Sequence, residues 1–310
     1  MTETNRTARA LPMLFGLGGV WGASFLFIKV IVDDTGPFEL VTGRLFLGAV
    51  TVAAFMRVRR IPIAVQPVLI ARISVMALGS NVIPFALIAW GEEHIDSGLA
   101  SVLNSMVPIF TAIVAAAVLA EERFTRARLL GLLLGFTGVV VLTGDDVMRI
   151  TDSDVLGELA VVAAAACYGM GAVYARTLLR EHDPVTISIW QLSLGALFAV
   201  PLVFIFEGTP DFSLGLDAIG ALIALGIFGT GIGYITWLWL IETTGSVRAS
   251  LVTYIVPAVG LLLGWLVLGE SVGLSIILGG LCIVAGVAAV MRGQAPASQR
   301  VVALAQSGSD

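Results

Sequence analysis

Ten runs of about 20 apolar residues follow one another along the chain, each long enough to cross a hydrocarbon layer roughly 30 Å thick. Such a layer offers no water to unpaired backbone groups, so spanning segments must be helices or strands of a closed barrel. The runs lack strand-like alternation, which leaves helices. They cover approximately Pro12 to Val32, Phe38 to Met56, Pro67 to Trp90, Gly98 to Leu119, Ala127 to Thr143, Val155 to Ala175, Pro184 to Phe206, Leu216 to Ile241, Val247 to Leu268 and Gly273 to Met291. Composition agrees: of 310 residues 58% are hydrophobic and 13% charged, against about 25% charged in a soluble domain. Soluble globular and disordered readings both fall.

The formal net charge of −5, with no basic patch, argues against a nucleic-acid partner. Cys167 and Cys282 lie inside apolar runs, so neither a disulfide framework nor a Cys-based metal site is expected, and no cofactor is implied. The head, Met1 to Ala10, is too polar for a signal peptide, so the first span reads as a retained anchor. Positive residues collect on the cytoplasmic side. With the N-terminus inside, 14 of the 17 Lys and Arg fall in inner segments or helix ends, Arg149 alone lies in an outer loop, and Lys29 and Arg44 lie within or near spans. Both termini are therefore expected in the cytoplasm. Asp33, Asp34, Glu92, Glu93, Asp96, Asp145 and Asp146 fill the outer loops and read as solvated charge.

The chain repeats itself. Residues 97–144 align without gaps on 246–293, a shift of 149, pairing Ala100-Ser101 with Ala249-Ser250, Pro108 with Pro257, Glu121 with Glu270 and Gly131 with Gly280. A shift of 147 pairs Trp21-Gly22 with Tyr168-Gly169, Lys29 with Arg176, Pro37 with Pro184, Leu45 with Leu192 and Gly48 with Gly195. Five spans per half is an odd number, so the second half enters the membrane from the opposite face. The expected fold is an all-α integral membrane protein of ten transmembrane helices in two inverted five-helix repeats, residues 11–144 and 155–291. A polar connector at 145–154 joins them, and cytoplasmic tails at 1–10 and 292–310 flank them. Inverted repeats of this kind place a transporter's substrate near the midplane between halves.

Five plus five helices, Trp21, Gly22 and Lys29 in the first span, Arg44 in the second, and a Pro-then-Glu pattern in each half (Pro108 with Glu121, Pro257 with Glu270) resemble the EamA-type branch of the drug/metabolite transporter superfamily. The resemblance covers about Leu11 to Met291. It implies a secondary transporter of small metabolites in the plasma membrane (the bacterial inner membrane), often an exporter of amino acids or drugs. It further implies a central cavity built from spans 1 to 4 and 6 to 9. The second half departs from the first in having Tyr168 and Gln191 where the first has Trp21 and Arg44.

Polar residues inside spans are expected to face the protein interior or a cavity. Span 4 places Ser101, Asn104, Ser105, Pro108 and Thr111 on one stripe, and span 9 repeats it with Ser250, Thr253, Tyr254, Pro257 and Gly260. Ser101 and Ser250 serve equally well as packing contacts between helices; Asn104 and Tyr254 read as substrate contacts. Span 3 carries Asn81, Pro84 and Phe85 near its middle, with Thr230, Gly233 and Tyr234 at the matching places of span 8 and Trp237 on the same face. Pro84, Pro108, Gly233 and Pro257 are expected kinks or gating points. Trp21 and Tyr168 are expected on the cavity walls, whereas Trp90, Trp239 and Trp265 suit the membrane interface. The candidate substrate-binding set is thus Trp21, Arg44, Asn81, Asn104, Tyr168, Gln191, Thr230, Tyr234 and Tyr254.

Arg44 stands six positions into span 2, about 9 Å below its outer end. A charge at that depth has a function or a buried partner. A carboxylate or other anion is one reading, and an ion pair with Glu39, Glu92 or Glu93 the other. Lys29 can snorkel to the surface, and Glu121 and Glu270 suit helix ends or gate pairs. Gly131 with Gly135, and Gly280 with Gly286, read as close helix contacts within or between protomers, which leaves a homodimer open alongside lipid and a small-molecule substrate as partners.

A transporter is the first reading. An intramembrane enzyme wants clustered acid/base or metal-binding groups, and none is seen, so no catalytic residue is expected; a channel wants repeated selectivity rings. No Asp or Glu sits mid-span, so facilitated transport is expected, or proton coupling near helix ends at Glu39, Glu121, Glu242 or Glu270.

Overall fold

Proline opens three of the long helices, where its missing N–H removes no intrahelical bond. In the computed structural model α2 (Pro37–Arg59), α3 (Pro67–Ala77) and α9 (Pro184–Phe206) begin this way. Residues 3–62, 67–118, 125–143, 153–178, 182–209 and 214–292 are described. Among them there are helices and turns and no strand. The remaining helices are α1 (Glu3–Val32), α4 (Ile83–Glu92), α5 (Ser97–Asn104), α6 (Val107–Val118), α7 (Arg126–Thr143), α8 (Ser153–Leu178), α10 (Leu216–Ala224), α11 (Gly233–Thr244), α12 (Ser246–Ala249), α13 (Ile255–Leu263) and α14 (Leu274–Arg292).

Several helices join into single apolar segments. α3 runs through a π turn at Leu78–Val82 into α4, and α10 through a longer π stretch at Leu225–Ile232 into α11. Seven segments are long and apolar enough to cross a membrane, and three shorter apolar helices, Leu129–Leu142, Val252–Leu268 and Leu274–Ala289, accompany them. The helices expose large apolar side chains outward, among them Phe46, Leu133, Leu197, Phe204 and Trp265, a surface that suits lipid.

The expected kinks fall on irregular turns. Pro84 and Gly233 each lie at the start of the helix that follows a π stretch. Pro108 has no N–H to offer the carbonyl of Asn104, and the chain breaks at Ser105 and Met106, whose amides bond to Val102 and Leu103 over three residues. Ahead of Pro257 the chain tightens into a 3-10 turn at Ser250–Tyr254. Such departures from α geometry turn the faces of a helix relative to one another.

α7 lies along α14, α2 along α9, α4 and α6 along α8, and α13 along α1. The glycine pairs resolve into a contact inside one chain. A Cβ on Gly138 would stand 2.7 Å from the Gly279 carbonyl oxygen, and one on Gly279 would stand 2.8 Å from that of Gly138. Gly286 meets the backbone of Gly131 and Gly135, while Gly280 faces Val102 instead. The α7–α14 seam thereby takes up Gly131, Gly135 and Gly286 within the protomer, and Gly280 packs on α5.

Many contacts between residues before 119 and after 153 come in pairs that the two sequence shifts interchange. Arg44 Nε donates to Thr230 Oγ1 at 3.2 Å, and Gln191 Nε2 donates to Asn81 Oδ1; Gln191 matches Arg44 and Asn81 matches Thr230. Ser24 lies against Gly229 as Ser80 lies against Gly171, and Gly48 meets Thr230 and Leu192 as Gly195 meets Asn81 and Leu45.

Candidate functional site

A cavity of about 80 Å³ lies between these paired contacts. Its walls come from α1 (Trp21, Ser24, Phe25, Ile28), α2 (Arg44), the α3–α4 segment (Met76, Ser80, Phe85, Ile88), and α5 with α6 (Asn104, Val107). From the second part of the chain come α8 (Tyr168, Gly171, Ala172), α9 (Gln191), α11 (Tyr234, Trp237) and Thr253. These are spans 1 to 4 and 6 to 9 of the sequence segmentation. The volume is below the roughly 300 Å³ at the low end of pockets for drug-sized ligands.

Among the described residues Arg44 is the one formally charged side chain on this wall, and it is only 4% exposed. Besides its bond to Thr230, its guanidinium lies over the Phe85 ring at 3.6 Å from the centroid. Among the described residues no carboxylate pairs with it, so the expected ion pair with Glu39, Glu92 or Glu93 is not formed. Weak hydration of the guanidinium and its affinity for aromatic faces let Arg occupy such a place. Phe85 in turn meets the edges of Tyr168 and Tyr234, each at 6.2 Å. Tyr234 donates to the Ser80 carbonyl at 3.1 Å, inside the π turn, where the altered register leaves carbonyls without α-helical partners. Trp21 Nε1 donates to the Gly229 carbonyl at 2.9 Å, within the other π stretch, and its ring lies 5.2 Å from that of Trp237.

Of the residues singled out in the sequence, Trp21, Arg44, Asn104, Tyr168, Gln191 and Tyr234 line the cavity. Asn81 and Thr230 are fully buried just behind it, holding Gln191 and Arg44. The 3-10 turn places Tyr254 off the wall and Thr253 on it. The span 9 stripe held both neighbours, and of the two it is Thr253 that reaches this cavity. Ser24, Ser80 and Met76 are wall residues that the span-by-span reading passes over. For Ser80 the repeat carried a signal, since it matches Gly229 at the other π stretch; for Ser24 and Met76 nothing distinguished them from helix packing.

At one end of the bundle, carboxylates from late in the chain cap helices from early in it. Glu270 accepts from the amides of Ser97 (2.8 Å) and Gly98 (2.9 Å) at the start of α5. Glu207 accepts from Phe38 (2.7 Å) and Glu39 (3.0 Å) at the start of α2. Both place negative charge on the positive end of a helix dipole. Glu270 is thus a helix-end charge; Glu121, Asp145 and Asp146 lie outside the described residues. Lys29 does not reach out to solvent alone: its ammonium donates to the carbonyls of Glu92 (2.5 Å) and Ile95 (3.3 Å) at the end of α4. Glu92 is not solvated loop charge but fully buried, because Gly91 lets α4 pack closely against α8 at Gly157 and Val161.

Burial raises the Glu207 carboxyl above its ordinary range, while the two amides it caps pull the other way. Glu93 and Asp96 are raised by burial in the same manner. A carboxyl raised in the folded protein holds its proton more tightly there than in the unfolded chain. Its stabilisation is complete at low pH and is lost as pH rises through the raised value. Thermal melts of Glu207→Gln are expected to show a shallower decline across that window than the wild type; superimposable curves would contradict the assignment.

The geometry defines a helical multi-pass membrane protein with an aromatic cavity around one buried arginine. Two stretches of the chain, residues 9–144 and 155–292, match the EamA-like transporter family, and the chain belongs to it. The uncharacterised transporter YoaV of Bacillus subtilis is 29% identical over 268 residues, covering 86% of this chain and 91% of the relative. A protein of Streptantibioticus cattleyicolor named "Probable terminal-alkyne amino-acid exporter" is 27% identical, covering 88% and 90%. The uncharacterised inner membrane transporter YedA of Escherichia coli is 23% identical, with 86% of each covered. A crystal structure 20% identical in sequence superimposes with a TM-score of 0.68 over 92% of this chain and 98% of that one, a shared fold. These relatives are named as transporters, which points away from an enzyme.

Proposed function

We propose that this chain is a secondary transporter exporting small organic metabolites that carry a carboxylate, amino acids among them, by alternating access between two inverted five-helix repeats. The observation that carries the reading is Arg44, a buried guanidinium on the cavity wall with no carboxylate partner among the described residues. A solute carboxylate supplies the missing anion, and Trp21, Trp237, Phe85 and the two tyrosines supply an apolar surface for its side chain. The small cavity favours amino-acid-sized solutes over larger drugs. Contacts that interchange under the repeat support a pseudo-twofold arrangement, which lets one half rock against the other around a fixed site. The relative named as an amino-acid exporter supports the substrate class.

In this reading ten spans leave both termini in the cytoplasm of a bacterial inner-membrane protein, with the Glu207 and Glu270 caps on the outer side. The test is transport in proteoliposomes loaded with radiolabelled neutral amino acids. Orientation is read in the same sample from impermeant maleimide labelling of Asp34→Cys (outer) and Arg126→Cys (inner). Efflux that saturates and exchanges with external unlabelled amino acid is expected. Absence of protein-dependent flux for every amino acid, or efflux at channel rates without saturation, would overturn the proposal.

A further inference from the structure

Glu92 is 0% exposed, and neither of its carboxylate oxygens has a hydrogen-bond partner. A buried carboxylate with no donor is among the most unfavourable groups a fold can hold, and the proton is what relieves it. The residue lies between two spaces. Ile88, one turn earlier in α4, lines the central cavity, and Lys29, which holds the Glu92 carbonyl, lines an outer pocket of about 480 Å³ together with Asp33, Asp96 and Glu270. The charges acting on Glu92 are Lys29 from α1, Glu270 from the turn after Leu268 and, more weakly, Arg44 from α2. α8, packed against α4, brings buried Glu158 and exposed Asp154, the α5 end brings Asp96, and α4's own end carries Glu93 and His94.

The repeat makes this place one-sided. The shift of 149 that carries Asn81 to Thr230 and Glu121 to Glu270 carries Glu92 to Ile241, which is equally buried but apolar. Lys29 matches Arg176, so the basic partner is kept in both halves while the titratable group is present in only one.

Resting on the transport reading above, we propose that Glu92 is a proton-binding site that locks the outer closure of the cavity. With its proton, the carboxyl packs as a neutral group between α4 and α8, and Lys29 stays on the carbonyls of Glu92 and Ile95. When the proton leaves to water in the outer pocket, the carboxylate draws the Lys29 ammonium off those carbonyls into an ion pair, and the contact between α1 and the end of α4 loosens. Opening of the outer gate is then set by the pH of the outer compartment, through a residue one helix turn from the cavity.

Two readouts that need no transported solute test this on the full-length purified protein. The first is an infrared pH titration of the protonated-carboxyl stretch. The second is impermeant maleimide labelling of Leu268→Cys, at the outer pocket, with Cys167 and Cys282 replaced by Ala. The wild type is expected to lose a carboxyl band as pH rises, and labelling of Leu268→Cys is expected to accelerate several-fold over the same range. Glu92→Gln is expected to lack that band and to label at a pH-independent rate. Glu92→Met, an apolar replacement of similar length, is expected to behave as Glu92→Gln, and Glu92→Asp to keep a titrating band. Retention of the band in both Glu92→Gln and Glu92→Met, or labelling that keeps its pH response in them, overturns the proposal. A failure of amino-acid flux with both readouts as expected would count against the transport reading and leave the proton site standing.

Discussion

Arg44→Gln is expected to weaken binding of carboxylate-bearing solutes about ten- to a hundredfold, because a hydrogen bond to a charged group contributes about 1.5–3 kcal/mol and each 1.4 kcal/mol is a factor of ten. The measurement is the amino-acid concentration giving half-maximal thermal stabilisation of the purified protein, compared with the matching amines that lack the carboxylate. The amines should lose little, since the aromatic wall is unchanged. Arg44→Lys keeps the charge but loses the planar fork and its stacking on Phe85, so an intermediate loss is expected. If Arg44 instead served only to hold Thr230 and Phe85 in place, amino acids and amines would weaken together and the melting temperature would fall with them. That outcome removes Arg44 from the binding site.

Gly286→Val is expected to be among the most damaging single substitutions away from the cavity wall. A Cβ there would stand 2.6 Å from the Gly131 carbonyl oxygen and 2.9 Å from the Gly135 amide nitrogen. Both are backbone atoms, which cannot rotate aside as a side chain can, so α14 must move off α7. Overpacking of this kind costs about 1–3 kcal/mol, and more where backbone must shift. Gly280→Val is the control, because the Cβ there would meet only Val102 at an ordinary 3.5 Å. Melting temperatures in detergent that fall equally for both variants would show that the seam is not held by backbone approach.

How much of this was legible beforehand can be judged residue by residue. Helices along the membrane runs follow from local apolarity and length, and Pro108 and Pro257 announced breaks because a missing N–H acts on its own helix wherever that helix packs. The repeat supplied matching residues such as Asn81 with Thr230 and Arg44 with Gln191. It did not say that Arg44 would meet Thr230 while Gln191 met Asn81, because a match between halves fixes equivalence and not contact. Of the two neighbours on the span 9 stripe, Thr253 and not Tyr254 lines the cavity, for a related reason. The 3-10 turn before Pro257 rotates the face, and α-helical spacing carries no trace of a change in residues per turn.

Glu92 marks the boundary most clearly. By sequence it is one of several acidic residues at the end of an apolar run, beside Glu93 and Asp96, and nothing local separates a solvated carboxylate from a buried one. Its burial depends on Gly91 allowing α8 to close over it and on Lys29, 63 positions away, holding its carbonyl. Segment length, hydropathy and the internal repeat, each a property of residues near one another in the chain or of the chain compared with itself, were determined by the sequence alone. Which polar groups meet, which are left without a partner and which face the cavity were decided only in the tertiary structure, because these depend on the rotation and close approach of helices whose residues lie far apart in the chain.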